Sequence, residues 1–426
     1  MPALTTGKTV EIIFENAVDT YEHQDSMLDL VSFMEPDPKK MQNSDNVIWQ
    51  DVQQHAPLIS GWDLTGQETG IIEELYPCVL GTPNNDLVKQ RADKMRDKSY
   101  WEKRAKQSGM RQASELNDGI AEAIRDQGSL FYRSNETSGY EFISNAQVMM
   151  NERQLVNNGR NFLLNDRDNR LFGEDLAARQ TLQGRPEAVW SKGQLGQNIA
   201  GFDLYTGSFL PLLDGGADPA TTVTGNHSFA PQGGSKHATT HVVTNIDSRS
   251  ADFVVADSSS YTVGDKVTLS NSGTTIKALG LGSKVNTGQA MIFTIVSIAS
   301  GTAIELFPKP IAADDAALST LEKAYANVDT TALDTATVDR INTDASKRCN
   351  LFWDKDAIEV IGGTIPAELF SSFDGKKVIS TTMKNGLVMY MLYDGDIVEL
   401  TFRFRLFTWY GITVGQPQNC GVAVTY

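Results

Sequence analysis

Residues 98–127 read KSYWEKRAKQSGMRQASELNDGIAEAIRDQ, and this stretch decides the architecture. It contains no proline. Trp101, Ala105, Ala113, Leu116, Ile120 and Ile124 fall at helical spacing and form a narrow apolar stripe among Lys, Arg, Glu and Gln. At 1.5 Å per residue the helix would run for about 45 Å, longer than a compact domain usually needs, so it is expected to serve as a beam. Lys98, Lys103, Arg104, Lys106 and Arg111 lie in its first half. They suit contact with a polyanion, although a charge-rich face is ordinarily the solvated side of a helix.

Upstream of the beam, Val10, Ile13, Phe14, Ala17, Val18 and Tyr21 repeat every three or four residues, with Glu11, Glu15 and Asp19 on or beside the opposite face. This predicts an amphipathic N-terminal helix, set apart by Pro36 and Pro38. Its apolar side could dock on its own domain or meet a partner. Between Asn46 and Gly81 the pattern becomes extended. Val47 to Val52 and Ile71 to Val79 are rich in β-branched and aromatic residues, and the tip between them holds Pro57, Gly61, Trp62, Asp63, Gly66 and Gly70. A long two-stranded hairpin is expected. Two strands alone are marginally stable, so the ribbon must lie against its own core or a neighbour. Trp62 is an anchor for a partner or an indole folded back on its own chain.

Downstream, a helix is expected from about Gly139 to Val156, before the turn at Asn157 to Gly159. From Ala217 to Pro308 the composition shifts to Thr, Ser, Gly, Val and Ala. Strand-like runs occur at Asp252 to Ala256, Lys266 to Ser270, Met291 to Ile298 and Thr302 to Phe307, with turns at Gly264-Asp265 and Ser300-Gly301. A small all-β barrel inserted into an α+β chain is expected. Mixed character resumes at Ala312 to Asn342. Near the C-terminus, Phe402, Phe404 and Leu406 alternate with Thr401, Arg403 and Arg405, which predicts one buried face and one exposed basic face.

The composition narrows the function. A chain of 426 residues, 40% hydrophobic and 21% charged, can bury a large core. The N-terminus lacks the basic and apolar pattern of a secretory signal. The longest apolar-leaning runs, Gln289 to Ala299 and Gly386 to Tyr393, are far shorter than a membrane span of about 20 residues. Cys78, Cys349 and Cys420 are widely spaced and form no Cys-x-x-Cys pair, so no disulfide framework or zinc ribbon is expected. A net charge of −16 disfavours tight binding of nucleic acid over a broad surface. The phosphate-binding, dinucleotide, zincin and nucleophile-elbow signatures are missing. His237 and His241, with His227 nearby, could suggest zinc, but the loop-like context has no Cys partner. Asp314-Asp315, Asp354-Lys355-Asp356 and Asp394-Gly395-Asp396 read as turn chemistry. No catalytic residue, cofactor or metal is therefore expected.

A further set of residues runs collinearly along nearly the whole chain. Trp49, Gly61-Trp62-Asp63-Leu64-Thr65, Thr69-Gly70, Asn85-Asp86, Gln90-Arg91-Ala92-Asp93 and Arg96-Asp97 come first. Gly128-Ser129-Leu130, Ala200-Gly201-Phe202-Asp203, Ser228-Phe229-Ala230-Pro231 and Gly264-Asp265-Lys266 follow. Pro308-Lys309-Pro310, Ala324-Tyr325-Ala326-Asn327-Val328 and Trp409-Tyr410-Gly411 complete the series. In this order they resemble the coat proteins of short-tailed Salmonella-type phages.

The resemblance implies an α+β capsid fold of the Johnson or Hong Kong 97-type, with a long spine helix, an extended hairpin loop and an inserted β-barrel. It implies an N-terminal arm at 1–35, the hairpin loop at 46–81, and a peripheral domain at 36–45 and 82–135 with its spine at 98–127. It further implies a central axial domain at 136–220 and 309–400, the barrel at 221–308, and strands at 401–426 returning to the peripheral domain. The implied function is a shell protein that assembles with a scaffolding protein in the host cytoplasm into an icosahedral precursor, then expands around double-stranded DNA. Implied partners are further copies in pentamers and hexamers, the scaffolding protein, a portal protein at one vertex, and packaged DNA by weak non-specific contact, with no membrane. Glu15 and Asp19 are the implied scaffold-binding residues. Trp62, Asp63, Lys236 and His237 are the implied inter-subunit contacts. One departure stands out: the loop after Pro231 reads Gln-Gly-Gly-Ser-Lys-His and lacks the acidic pair that relatives use across local two-fold axes, so those salt bridges are not carried over. Other readings are a surface adhesin or glycan-binding protein, which should show an export signal, and a metal-dependent hydrolase, which would depend on His237.

Overall fold

The computed structural model describes residues 6–24, 27–37, 41, 45–52, 60–63, 65, 74–91, 98–134, 139–170, 194–207, 209–225, 227–231, 235–236, 239, 243–244, 247–331, 333–343, 346–365, 377–396 and 398–425. The chain is mixed α+β, rich in strands with few helices, and divides into two compact units. The first comprises Met1–Ile48, Cys78–Ile120 and Glu359–Thr413; the second comprises Trp49–Pro77, Ala121–Ile358 and Val414–Tyr426.

In the first unit, helix α1 (Thr6–Gln24) buries Val10, Ile13, Phe14, Ala17, Val18 and Tyr21 and exposes Glu11, Glu15 and Asp19. Helix α2 (Lys98–Gln127) is the expected 30-residue beam, and it contributes residues 98–120 to this unit. The apolar side of α1 docks within the unit, because its backbone reaches α2 at Gly109, where an added Cβ would lie 2.2 Å from the Ala17 carbonyl oxygen. Beyond α1, the Met27 amide donates to Asn117 Oδ1 at 3.2 Å, and Asn117 Nδ2 donates to the Gln24 carbonyl at 3.3 Å.

A four-stranded antiparallel sheet lies in the same unit, in the order Lys377–Thr382, Val388–Asp396, Thr401–Thr408, Asn84–Arg91. Trp101 of α2 meets Phe404 edge-on at 5.5 Å, and Gln112 Nε2 donates to the Leu406 carbonyl at 3.2 Å. Phe404 and Leu406 are buried as the alternation predicts, but Phe402 is only half-buried and Thr401, expected on the exposed face, is buried. The opposite face is not simply basic, however. Phe407 is also buried, stacked on Tyr390 at 5.0 Å, and the Arg405 guanidinium lies 5.2 Å over its ring. Asp394-Gly395-Asp396 is also not a turn. These residues pair with Arg403, Phe402 and Thr401, and the reversal falls at 398–400, with Leu400 at φ +49°.

Two large sheets organise the second unit, beside several two-stranded ribbons. One has six strands, ordered Leu130–Ser134, Cys420–Thr425, Asn350–Asp354, Arg160–Asn165, Phe202–Gly207, Gln194–Ile199. The C-terminal strand is thus parallel to Leu130–Ser134 and antiparallel to Asn350–Asp354. Helix α3 (Gly139–Glu152) packs Phe142, Ile143, Ala146 and Met150 with Tyr132, Phe162, Phe202 and Phe352 in one core. It ends before the expected Val156. Gln154 adopts φ +58°, the Leu155 amide bonds back to the Met150 carbonyl, and the Gln154 amide bonds to that of Asn151. That is a Schellman end with glutamine in the place glycine usually takes.

The other is an antiparallel sheet ordered Thr221–Thr222, Thr337–Arg340, Lys266–Asn271, Ile292–Ser300, Ala303–Phe307, Ala251–Val254. A bridge between Val223 and Val255 joins its two ends. The Thr224 amide donates to the Val254 carbonyl at 2.8 Å and the Ala256 amide to that of Thr222 at 2.9 Å. Phe253, Val267, Leu269, Phe293, Ile295, Leu306 and Val338 fill its core. The strand Thr337–Arg340 lies well past the Pro308 end expected from composition, because Val338 buries in this core and Arg340 pairs with a buried carboxylate.

That carboxylate, Asp265, accepts from Arg340 Nη2 at 2.6 Å, Asn342 Nδ2 at 2.9 Å and the Thr262 amide at 2.7 Å. Arg340 Nη1 also donates to the Ala217 carbonyl at 3.1 Å, and Asn342 Nδ2 to that of Asp214 at 2.7 Å. This knot joins both chain crossings at the base of the sheet. Beside it, the buried Lys266 Nζ donates to the carbonyls of Arg125 (2.6 Å) and Gly128 (2.8 Å) and to Thr294 Oγ1 (2.9 Å), which caps the C-terminal end of α2.

Candidate assembly surfaces

The hairpin strands Val47–Asp51 and Leu75–Val79 pair with each other. The Val52 amide donates to the Glu74 carbonyl at 2.8 Å, and Tyr76 Oη donates to Gln50 Oε1 at 2.9 Å. Of the tip, Gly61, Trp62, Asp63 and Thr65 are described, whereas Pro57, Gly66 and Gly70 lie outside the described residues. Trp62 exposes its whole side chain, 106% of the reference area, so the folded-back arrangement does not occur. Asp63 accepts from the Thr65 hydroxyl at 2.6 Å and amide at 3.0 Å. Those bonds hold its carboxyl below the usual carboxylate range and shape the loop that presents the indole.

Glu11, Glu15 and Asp19 form one exposed acidic row on α1. Glu22, at the edge of the same helix, receives the Lys384 ammonium at 2.9 Å and the Lys384 amide at 3.0 Å. Its carboxyl is lowered by that lysine, and Lys384 is raised in turn, chiefly by Glu22 and further by Asp19. Sequence reasoning missed this contact, since the partners lie at opposite ends of the chain.

After Pro231, Ser235–Lys236 pairs with Val243–Thr244 as a short ribbon. The Lys236 side chain, His237 and His241 lie outside the described residues. His227 stacks on Phe229 at 5.8 Å and meets Phe253 at 4.9 Å, so its ring is part of an aromatic group. On α2, Lys103, Lys106 and Arg111 are exposed, whereas Arg104 pairs with Asp86 at 2.7 Å. Asp354 caps the turn Lys355–Ala357 by accepting from the Asp356 amide, and Asp315 accepts from the Ala317 amide and the Ser228 hydroxyl. Both carboxylates do the local turn work expected of them.

The sequence matches a family model described as P22 coat protein, gene protein 5, over residues 2–425. The chain belongs to the P22 coat protein family. As a coat protein it is a structural component of the virion and not an enzyme. Solved capsids are similar to it at low identity. The capsid of Cyanophage P-SCSP1u is 10% identical with a TM-score of 0.43, over 95% of this chain and 88% of that one. A structure from Mycobacterium phage Che8 is 10% identical with a TM-score of 0.41, over 94% and 90%. The capsid of Ralstonia phage GP4 is 8% identical with a TM-score of 0.41, over 92% and 86%. Among its described residues the coat protein has no helix long and apolar enough to cross a membrane.

Proposed function

We propose that this coat protein assembles in the host cytoplasm with a scaffolding protein into an icosahedral precursor shell, which then expands to enclose double-stranded DNA. Residues 221–340 act as its inserted domain, the hairpin at 46–81 reaches a neighbouring copy, and a portal protein replaces coat subunits at one vertex. The observation that carries the reading is the fully exposed Trp62 at the tip of a paired ribbon. An indole can bury about 150–250 Å², so covering this one with a second surface is favourable. Contacts of one patch against a different patch on the next copy close into rings when the rotation permits. Asp63, Lys236 and His237 complete the inter-subunit set. Trp62→Ala is expected to leave the monomer's circular dichroism unchanged and to lower shell yield sharply, consistent with loss of an anchor of about 2–4 kcal/mol. Normal yield by sedimentation would refute the anchor.

The exposed row on α1 recruits the scaffolding protein through Glu15 and Asp19, which lie one turn apart. Such contacts weaken with salt, which suits a partner that must later leave. Replacing Glu15 and Asp19 together by Ala is expected to reduce the scaffold content of purified precursor shells, most clearly at low salt. Unchanged content at low and high salt would remove these residues from the role.

A further inference from the structure

The second unit contains a half-open cavity of about 120 Å³. Its wall takes Glu74 from the foot of the hairpin, Arg153 from the end of α3, Arg249, Lys309 and Tyr325 from the segments around the barrel, and Pro417 from the C-terminal segment. Three of these six are cations, and their situations differ. Arg249 is fully engaged: its Nε and Nη2 each donate to Asp247 at 3.0 Å, its Nη1 donates to the Val414 carbonyl at 2.6 Å, and the guanidinium lies 4.7 Å over Tyr76.

Arg153 and Lys309 have no such compensation. Arg153 is 4% exposed, its Nη2 donates to the Ala290 carbonyl at 3.2 Å, and its Nε is buried without an acceptor. Lys309 is 8% exposed, and its Nζ makes one hydrogen bond, to the Ala230 carbonyl at 3.0 Å. Among the described residues, neither has a carboxylate at ion-pair distance. Glu74, the wall's one carboxylate, and Asp247, already held by Arg249, attract Lys309 only from further away. Burial lowers both cations from their ordinary values, Arg153 to about 10.

Buried cations are normally paired, since isolating one from water and counter-charge is costly. Water alone would leave two positive charges lining a space far larger than the roughly 10–15 Å³ one water needs. A tetrahedral oxyanion supplies both charge and several acceptors, and guanidinium is well matched to it. We propose that this cavity binds a small free oxyanion of the size and charge of inorganic phosphate, held by Arg153 and Lys309. The bound ion links the foot of the hairpin, the end of α3 and the barrel within one unit. Phosphate could also come from a nucleic acid, but a small, half-closed space lined largely by apolar atoms favours the free ion.

The test is isothermal titration of the full-length monomer with sodium phosphate against sodium chloride at equal ionic strength. Phosphate is kept at millimolar levels, below the range in which it stabilises proteins by exclusion from their surface. The expected result is one saturable site in the wild type and at least tenfold weaker binding in Arg153→Met and in Lys309→Met. Glu74→Gln should bind more tightly, because a like charge is removed from the wall. That variant and the wild-type titration keep the proposal testable if either methionine variant fails to fold. No saturable phosphate binding by the wild type overturns the proposal and leaves a cavity that holds water only. Undiminished binding in folded Arg153→Met and Lys309→Met, or binding of a short single-stranded oligonucleotide but not of free phosphate, also overturns it.

Discussion

Asp265→Ala should unfasten the barrel from its base. The aspartate is buried, with 2% side-chain exposure, and its partner Arg340 has 6%. Removing the carboxylate leaves the guanidinium in place with carbonyl partners at Ala217 and Ser260 but without a counter-charge, and its Nε is already unpartnered. Breaking one side of a buried pair costs about 3–5 kcal/mol. The Thr262 amide loses its acceptor as well, whereas Asn342 Nδ2 keeps the Asp214 carbonyl. These losses share one site and do not add fully, so about 4 kcal/mol is expected. Against the roughly 5–15 kcal/mol that stabilises a typical domain, this is a large fraction. The assay is urea unfolding by circular dichroism, with hydrogen exchange at the amides of Lys266–Asn271 and Thr337–Arg340 to localise the opening. Asp265→Leu combined with Arg340→Met removes both charges and should cost clearly less than Asp265→Ala alone. A single-variant loss below about 1 kcal/mol, the worth of a surface pair, would refute the reasoning. So would a double variant less stable than the single one.

Lys266→Met should destabilise the second unit by about 1–3 kcal/mol, because the Arg125 and Gly128 carbonyls and Thr294 Oγ1 lose a shared donor; an unchanged urea midpoint would argue against the cap. Burial pushes Lys266 down to about 8 from 10.5, so between those values the unfolded chain binds its proton more tightly. The wild type should therefore gain stability over Lys266→Met as pH rises from 8 towards 10.5, with no such change below 8; parallel pH profiles of the two proteins would contradict this. Gly109→Ala should destabilise the first unit, although the same change in an open helix gains about 0.5–1 kcal/mol. The added carbon would lie 2.2 Å from the Ala17 carbonyl oxygen, so α1 should become more open to proteolysis, and a raised thermal midpoint would exclude tight docking there.

The elements legible in the sequence are those whose signal is local. Helix α2 could be read because 30 residues keep one apolar stripe without a proline, and Ala303–Phe307 because an apolar run follows a Ser-Gly turn. The strand Thr337–Arg340 escaped because four residues with alternating polarity say little alone. Its place is fixed by Arg340 meeting Asp265, a contact 75 residues apart. Asp394-Gly395-Asp396 misled for the converse reason: turn-forming residues are held extended by a full-length neighbour, Thr401–Thr408. The end of α3 was misplaced because Gln154 occupies the left-handed position where glycine would have marked the stop.

Of the candidate site residues, Trp62 was legible as a loop indole because Gly61 and Asp63 mark a turn, but its exposure was not, since a ring folded back on its own chain fits the same residues; the Glu22–Lys384 contact left no local trace. The docking of α1 shows what a second signal adds. Its apolar stripe says that something covers the helix but not what, and both a partner and its own unit satisfy the pattern. Gly109 carried the missing half. A glycine inside a long solvent-lined helix costs about 1 kcal/mol relative to alanine, so its presence in the middle of α2 points to a backbone passing too close for a Cβ. That backbone is Ala17. The acidic row at Glu11, Glu15 and Asp19 is therefore displayed from a helix already anchored along its other side. A partner that binds it meets a preformed surface and need not order the arm, which favours the fast, salt-sensitive and reversible association that the proposed scaffold contact requires.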